Sequence, residues 1–429
     1  MVALALGLLG LIGLVGVLVV VLRGRGDGGP APLPLAGETV TVQGPELENE
    51  LGNIQDAFKP FREQTGIRVV VAGNTNFEED IGEQVRDGDP PDIALFPQPG
   101  LIDDLASEIV PLSDDLADTV RRNYDEDSRL EHVTVGDQVL AVPATADLKS
   151  LVWYSPRAFA EAGYEVPTTL AELEQLARRM ADDGHVPFCL GLESGVATGW
   201  PLTDWIEDYV LRQLGPEVYD AWWRHEIPFD DPDVVGVAEH VVDFLSQPGF
   251  VYDDIRDAAT RPTSEAGLPL LNDGCMMYRM AHFQARYWPV NTDIGEDGDV
   301  DAFSLPGATE DQRPALTGGT YAAAFSDRRA VRATMEYIAS ERYARERART
   351  QPGFLSPNVQ VDPGIYLSTV DRDAAEVLRA ADVVRYDASD LMPGVIGADL
   401  YWDAAVDITQ DEVTVRDAFA EIEASWPEP

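Results

Sequence analysis

Between Thr39 and Phe96 the chain alternates strand-like and helix-like stretches at short intervals, and no other feature restricts the fold so strongly. Thr39–Gln43 alternates polar and apolar residues, Ile67–Ala72 is β-branched, and Asp92–Phe96 is a third apolar run. Between them Ile54, Phe58 and Phe61 recur at helical spacing over Leu51–Gln64 and stop at Gly66; Phe77–Arg86 predicts a second helix. Strand–helix–strand–helix–strand predicts an α/β fold with a parallel sheet, because parallel strands must be joined by crossovers long enough to hold a helix. Ligands in such sheets lie beyond the carboxyl ends of the strands. The loops there hold Glu46 and Glu48 after the first strand, and Gln98 within Pro97–Gly100.

Further along, Val139–Pro143 and Leu151–Trp153 read as strands, with Asp147 and Lys149 between them. Thr169 and Glu172 form a capping box ahead of a helix face of Leu170, Leu173, Leu176, Ala177 and Met180. Pro187–Val210 is the richest stretch chemically. Phe188–Leu192 reads as a buried strand, Glu193–Gly199 as a small-residue loop, and a helix starts near Thr203 or Asp204, either of which can cap it. Trp200 and Trp205 offer flat apolar plates, while Glu193, Thr198 and Asp204 offer acceptors. A sugar stacks its C–H face on an aromatic ring and gives its hydroxyl rim to carboxylates. Any one of these tryptophans suits a core equally well, and Trp222 and Trp223 read as packing; the cluster at 193–205 is what points to a ligand. Gly274–Met277 predicts a short strand, followed by a polar-aromatic loop Tyr278–Trp288 that contains His282 and Phe283. Asp293–Asp301 lacks an acid at the third place of a calcium loop and ends on Ser304 where such a loop has glutamate, so it reads as a solvated acidic turn. Asp327 is placed to cap a helix with Val331, Met335 and Ile338 inward, and a last helix closes near Trp426.

The 76 acidic residues outnumber 31 basic ones for a formal charge of −45, a field that repels nucleic acid and anionic lipid. Lysine occurs only at 59 and 149. The two cysteines, Cys189 and Cys275, have no metal-site spacing and no cofactor motif accompanies them. Two readings stand: in an exported chain a disulfide closing a long loop, worth roughly 3–5 kcal/mol in the chain-entropy picture, and in a cytosolic chain two buried thiols. Residues 1–22 form an unbroken apolar run about 33 Å long as a helix, either a transmembrane anchor or an export signal, followed by a Gly/Pro linker at 23–37. Arg23 and Arg25 on its far side pull against export. Export is the reading favoured here.

The stretches FKPFREQTGIRVVV, PDIALFPQPG, VPATADLKSLVWYSPRAFAEAG, FCLGLESGVATGWPLTDWIEDYVL and SDLMPGVIGADLYW, in this order, resemble the extracellular solute-binding proteins of carbohydrate ABC transporters, the maltodextrin- and α-glucoside-binding group. The resemblance implies a periplasmic-binding-protein fold of two α/β lobes with a hinged cleft between them. It implies lobe 1 over 38–146 and 313–358 and lobe 2 over 147–312 and 359–429, a monomer, and permease subunits as partners. By position, Asp147 and Glu193 fall where that group has acidic contacts, Trp402 follows Met392 as its stacking tryptophan, and Phe283 or His282 falls near another aromatic. Gln98 replaces the charged pair that follows PDI in that group. The candidate ligand set is therefore Glu48, Gln98, Asp147, Glu193, Thr198, Trp200, Asp204, Phe283 and Trp402. Both cysteines fall where the α-glucoside branch holds cysteine, which implies the bridge.

The function so implied is capture of an α-glucoside or other small oligosaccharide outside the cytoplasm, with no catalysis and no metal. A rival ligand is a cationic solute such as a polyamine, drawn by the negative field and held by Asp147, Glu193 and Trp402. A glycoside-cleaving enzyme needs two carboxylates about 5–10 Å apart, which a chain this acidic supplies too easily to count as a signal. An anchored receptor with no transporter is the remaining alternative.

Overall fold

The computed structural model describes residue 33 and residues 35–45, 48–124, 130–350 and 352–427, apart from the side chains at 48 and 49. The apolar run 1–22, most of the 23–37 linker, Glu46 and the Glu48 side chain lie outside the described residues. Among the described residues no helix is long and apolar enough to cross a membrane.

The expected parallel layer forms. Val42 of strand Thr39–Gly44 stands opposite Val71 of Arg68–Gly73 on one side and Ile93 of Ile93–Phe96 on the other. Tyr321–Ala324 runs antiparallel beside Ile93–Phe96, and Ala141–Pro143 antiparallel beside that, completing a five-stranded sheet. The expected helix over 51–64 is two helices, Glu48–Ala57 and Lys59–Thr65. Pro60 is the reason: it lacks an N–H and fits only the first turn of a helix, so a new helix begins there. Ile54, Phe58 and Phe61 are buried all the same, with Phe61 stacked on Tyr337 at 4.7 Å. Helix Arg329–Ile338 buries Val331, Met335 and Ile338, but Asp327 pairs with Arg332 instead of capping it.

The second lobe contains a four-stranded sheet, in the order 301–304, 151–154, 277–279, 188–189, and a three-stranded sheet, in the order 383–386, 314–318, 147–148. The fold is thus α/β and two-lobed, with the first sheet's apolar cluster separate from two others: one around Trp205, Trp222 and Phe419, one around Trp153 and Tyr278. Thr169 accepts the Glu172 N–H at 3.2 Å, and the Glu172 carboxylate reaches back to the Thr168 N–H at 2.8 Å. Two strand expectations shift. Phe188–Cys189 is shorter than Phe188–Leu192, because after Cys189 the chain leaves the ladder to bridge at Glu193 with Pro262. Met277–Arg279 replaces Gly274–Met277, because Asp273 turns the chain at φ 58° and pairing begins only beyond that turn. The segments 144–147 and 318–320 pass between the sheets together, with Thr320 O accepting from the Ala144 and Thr145 N–H groups.

Candidate functional site

Beside those crossing segments lies a cavity of about 490 Å³. Its wall takes Gln98 and Glu78 from the first lobe, Asp147 from the crossing, and Glu193, Trp200, Phe283 and Trp402 from the second. Six of the nine expected contacts therefore meet at one place.

The aromatic side is built by a close packing that only glycine permits. The helix begins at Trp200, with Pro201 in its first turn and Gly199 at its N-cap with φ 119°. Thr203 and Asp204, expected at its start, lie inside it. A Cβ at position 199 would stand 2.2 Å from the Trp402 carbonyl oxygen, so the glycine lets the Trp402 helix close on the corner. Across the lobes, a Cβ at Gly100 would stand 2.0 Å from the Met392 carbonyl oxygen, which brings the loop after Phe96 against the segment leading to Trp402. Trp200 and Phe283 meet at 6.1 Å between ring centroids, and Lys149 Nζ lies 5.3 Å over the Trp200 ring. Trp205 is no plate. It is buried edge-on to Phe188 in the apolar cluster.

Several polar groups of the wall are unsatisfied. Gln284 is fully buried, and neither its Nε2 nor its Oε1 has a partner; Gln98 Oε1 and Trp402 Nε1 likewise have none. Buried polar atoms are nearly always hydrogen-bonded, and these atoms, with no partner among the described residues, are donors and acceptors that the cavity wall can offer. Phe283, and not its neighbour His282, lines the cavity. His282 Nδ1 accepts the Leu148 N–H at 3.3 Å, and burial pushes its pKa down to about 3, which leaves it neutral.

Two expected contacts stand elsewhere. Thr198 braces the loop by donating to Gly195 O at 2.6 Å and accepting the Ser194 N–H at 3.0 Å. Asp204 is buried behind the wall, with one carboxylate oxygen 3.0 Å from Lys149 Nζ and the other 2.7 Å from Arg279 Nη1. It belongs to a closed cluster. Arg279 also holds Asp208, which Arg212 and Ser150 share. Lys149 contacts Asp387 and lies 3.7 Å from Asp390, and Glu207 accepts the Ala388 and Ser389 N–H groups at 2.6 and 3.2 Å. Lys149, Arg212 and Arg279 thus face five carboxyls. Burial, reinforced by Asp387, raises Glu207 and Asp390 well above the usual carboxyl range. Burial pushes Asp204 up to about 7 against the pull of Lys149 and Arg279. Burial alone would lower the Lys149 ammonium, but the three aspartates hold it up.

Sequence reasoning missed Gln284, Arg286, Arg347 and Asp390 as lining residues and did not give Lys149 a role. Gln284 sat in the polar-aromatic loop and Lys149 was one of two lysines, which are the signals that pointed to them. Cys189 and Cys275 are joined, with Cα atoms 5.6 Å apart, tying the 188–189 strand to the turn before Met277. Among the described residues no group of three or more His, Cys, Asp or Glu is placed to hold a metal ion.

A family model described as bacterial extracellular solute-binding protein matches residues 44–344. The chain is 38% identical over 396 residues to the osmoprotective compounds-binding protein GgtB of Synechocystis, covering 90% of this chain and 92% of that one. It is 36% identical over 407 residues to the alpha-glucosides-binding periplasmic protein AglE of Rhizobium meliloti, covering 91% and 88%. Among solved structures, the bacterial solute receptor AcbH superposes with a TM-score of 0.78 at 17% identity over 90% of this chain and 98% of that one, a likeness of fold.

Proposed function

The chain belongs to the bacterial extracellular solute-binding proteins, and from that premise we propose that it captures an α-glucoside or another small oligosaccharide and hands it to an ABC transporter permease when its lobes close. The family is one of binders, so paired carboxylates need no catalytic role here. The observation that carries the sugar reading is the convergence of Gln98, Asp147, Glu193, Trp200, Phe283 and Trp402, from five separate stretches, on one cavity. Aromatic plates take the C–H faces of the rings, and acids and amides take hydroxyls. Because both lobes contribute, closure makes binding depend on having the right hydroxyls.

We propose lobes of 38–146 with 313–358 and of 147–312 with 359–429, with one change. Ala315 and Leu316 pack with the second-lobe clusters, which supports a crossover at Gly318–Thr320 in place of 313. Residues 1–22 serve as anchor or export signal at the extracytoplasmic face, and the binder works as a monomer. A cationic solute is the weaker reading, because Lys149, Arg286 and Arg347 stand in the same wall. Titration calorimetry with maltose, trehalose, sucrose and spermidine tests the choice. Heat from a disaccharide and none from spermidine is the expected result; spermidine alone, or no sugar at all, overturns it.

A further inference from the structure

Three cations reach the cavity wall, and two of them are matched. Lys149 lies among Asp204, Asp387 and Asp390, and Arg286 pairs with Glu50. Arg347 has no such partner. It lies on helix Glu341–Ala348, is 4% exposed, and makes no ion pair with a carboxylate among the described residues. Its Nε has no partner, its Nη1 makes one long contact of 3.5 Å to the Tyr343 hydroxyl, and its guanidinium rests 4.9 Å over the Phe354 ring. Gln284, on the same wall, has both amide atoms unpartnered.

An arginine buried without an anion is costly and rarely kept. A guanidinium is moreover a planar fork that matches a carboxylate. A cavity that retains such a group has left the anion to come from outside. We propose that the preferred ligand is a glycoside whose aglycone bears a carboxylate, a sugar joined to a hydroxy acid. The carboxylate accepts from Arg347 while Gln284 and Trp402 Nε1 engage the hydroxyls. This rests on the sugar reading above and narrows it.

The chain's formal charge of −45 opposes any anion at long range. That field comes from exposed groups, though, and is screened beyond roughly 8–10 Å at physiological salt, whereas Arg347 acts at contact. Within the cavity Glu50 pairs with Arg286 and Asp390 lies near Lys149, while Glu78, Asp147 and Glu193 also line the wall, so the anion has to be held by direct contact with Arg347.

The test needs no variant to begin with. Calorimetric titration of the full chain compares glucose α-linked to a hydroxy acid with the methyl ester of the same compound. A charge-assisted pair to a buried guanidinium predicts that the acid binds roughly 10–100-fold more tightly. Arg347→Met should erase that preference, bringing acid and ester to equal affinity, and Arg347→Lys should keep part of it. Equal affinity of the native chain for acid and ester overturns the proposal and leaves the sugar reading standing. Binding of neither overturns the proposal, and the sugar reading falls with it only if the disaccharides also give no heat. Should Arg347→Met fail to fold, the acid–ester ratio of the native chain decides alone.

Discussion

The cavity wall and the charge cluster behind it draw on the same residue types and share Lys149 and Asp390, yet they dispose of their polar atoms in opposite ways. In the cluster the lysine and both arginines meet carboxylates at contact, although Arg279 Nε has no acceptor among the described residues, and burial raises the surplus acids Glu207 and Asp390 above the usual range. In the wall, Gln98, Gln284, Trp402 and Arg347 hold atoms with no partner among the described residues. Burial is nearly the same in both, since Asp204 and Gln284 are each fully inaccessible. What distinguishes the two regions is the pairing of opposite charges, not depth. The cluster holds the fold, and the wall is stability forgone until a ligand arrives.

If that is right, breaking the two regions must have opposite consequences. The largest effect belongs to Arg279→Met. Losing the guanidinium leaves Asp204 and Asp208 buried without their shared cation, and urea unfolding should register a loss of about 3–5 kcal/mol. A loss under 1 kcal/mol would remove the cluster from its structural role. Next comes the double variant Cys189→Ser with Cys275→Ser, which frees the strand next to that of Arg279. With the cysteines separated by 86 positions in sequence, the expected cost is about 2–5 kcal/mol by the same measurement.

The wall should behave in the reverse sense. Gln284→Leu replaces an unpartnered amide by an apolar group of similar size, so the ligand-free protein should gain about 1 kcal/mol while sugar affinity falls. Thermal unfolding and calorimetry of one sample check both halves. A destabilised variant with intact affinity would make Gln284 an ordinary core residue.

Legibility in the sequence follows the same divide. The first lobe was readable because its signals are local: alternation at Thr39–Gln43, helical spacing at Ile54, Phe58 and Phe61, a stop at Gly66. Even the misread helix boundary lay one residue from the proline that explains it. The six candidate contacts that line one cavity came from motif order, from the cluster at 193–205 and from the loop after the third strand. The charge cluster was not readable, since its contacts join residues as far apart as Lys149 and Asp387. An acid's identity does not say which way it faces, so Asp204 and Glu193 looked alike from the chain. The nearest signal is the spacing of Asp204, Asp208 and Arg212, one charged stripe on a helix with no exposed face to carry it.

The smallest effect is the most discriminating, because the two regions pull stability in opposite directions as pH changes. Asp204 has a folded pKa of about 7, raised by burial, and Asp371, also buried, likewise reaches about 7. For a raised acid the stabilisation is complete below the ordinary carboxyl range near pH 4 and is lost as pH climbs through 7. His282, packed behind the wall, has its pKa lowered to about 3 by burial. A lowered base works the other way: its stabilisation is complete above about 6.5 and is lost as pH falls toward 3. From pH 4 to 6.5 the histidine therefore opposes Asp204, Asp371 and the likewise raised Glu207 and Asp390, leaving a net gain on acidification, while above 6.5 the acids act unopposed. Urea midpoints at pH 4.5, 5.5, 6.5 and 7.5 should show that rise toward acid. His282→Asn should steepen it, because the opposing group is gone, and Asp371→Asn should flatten it. Were His282→Asn to leave the profile unchanged, the histidine would not be neutral in the fold, and the proximity of Asp147, 3.8 Å from its Nδ1, would have to be read as an ion pair within the wall.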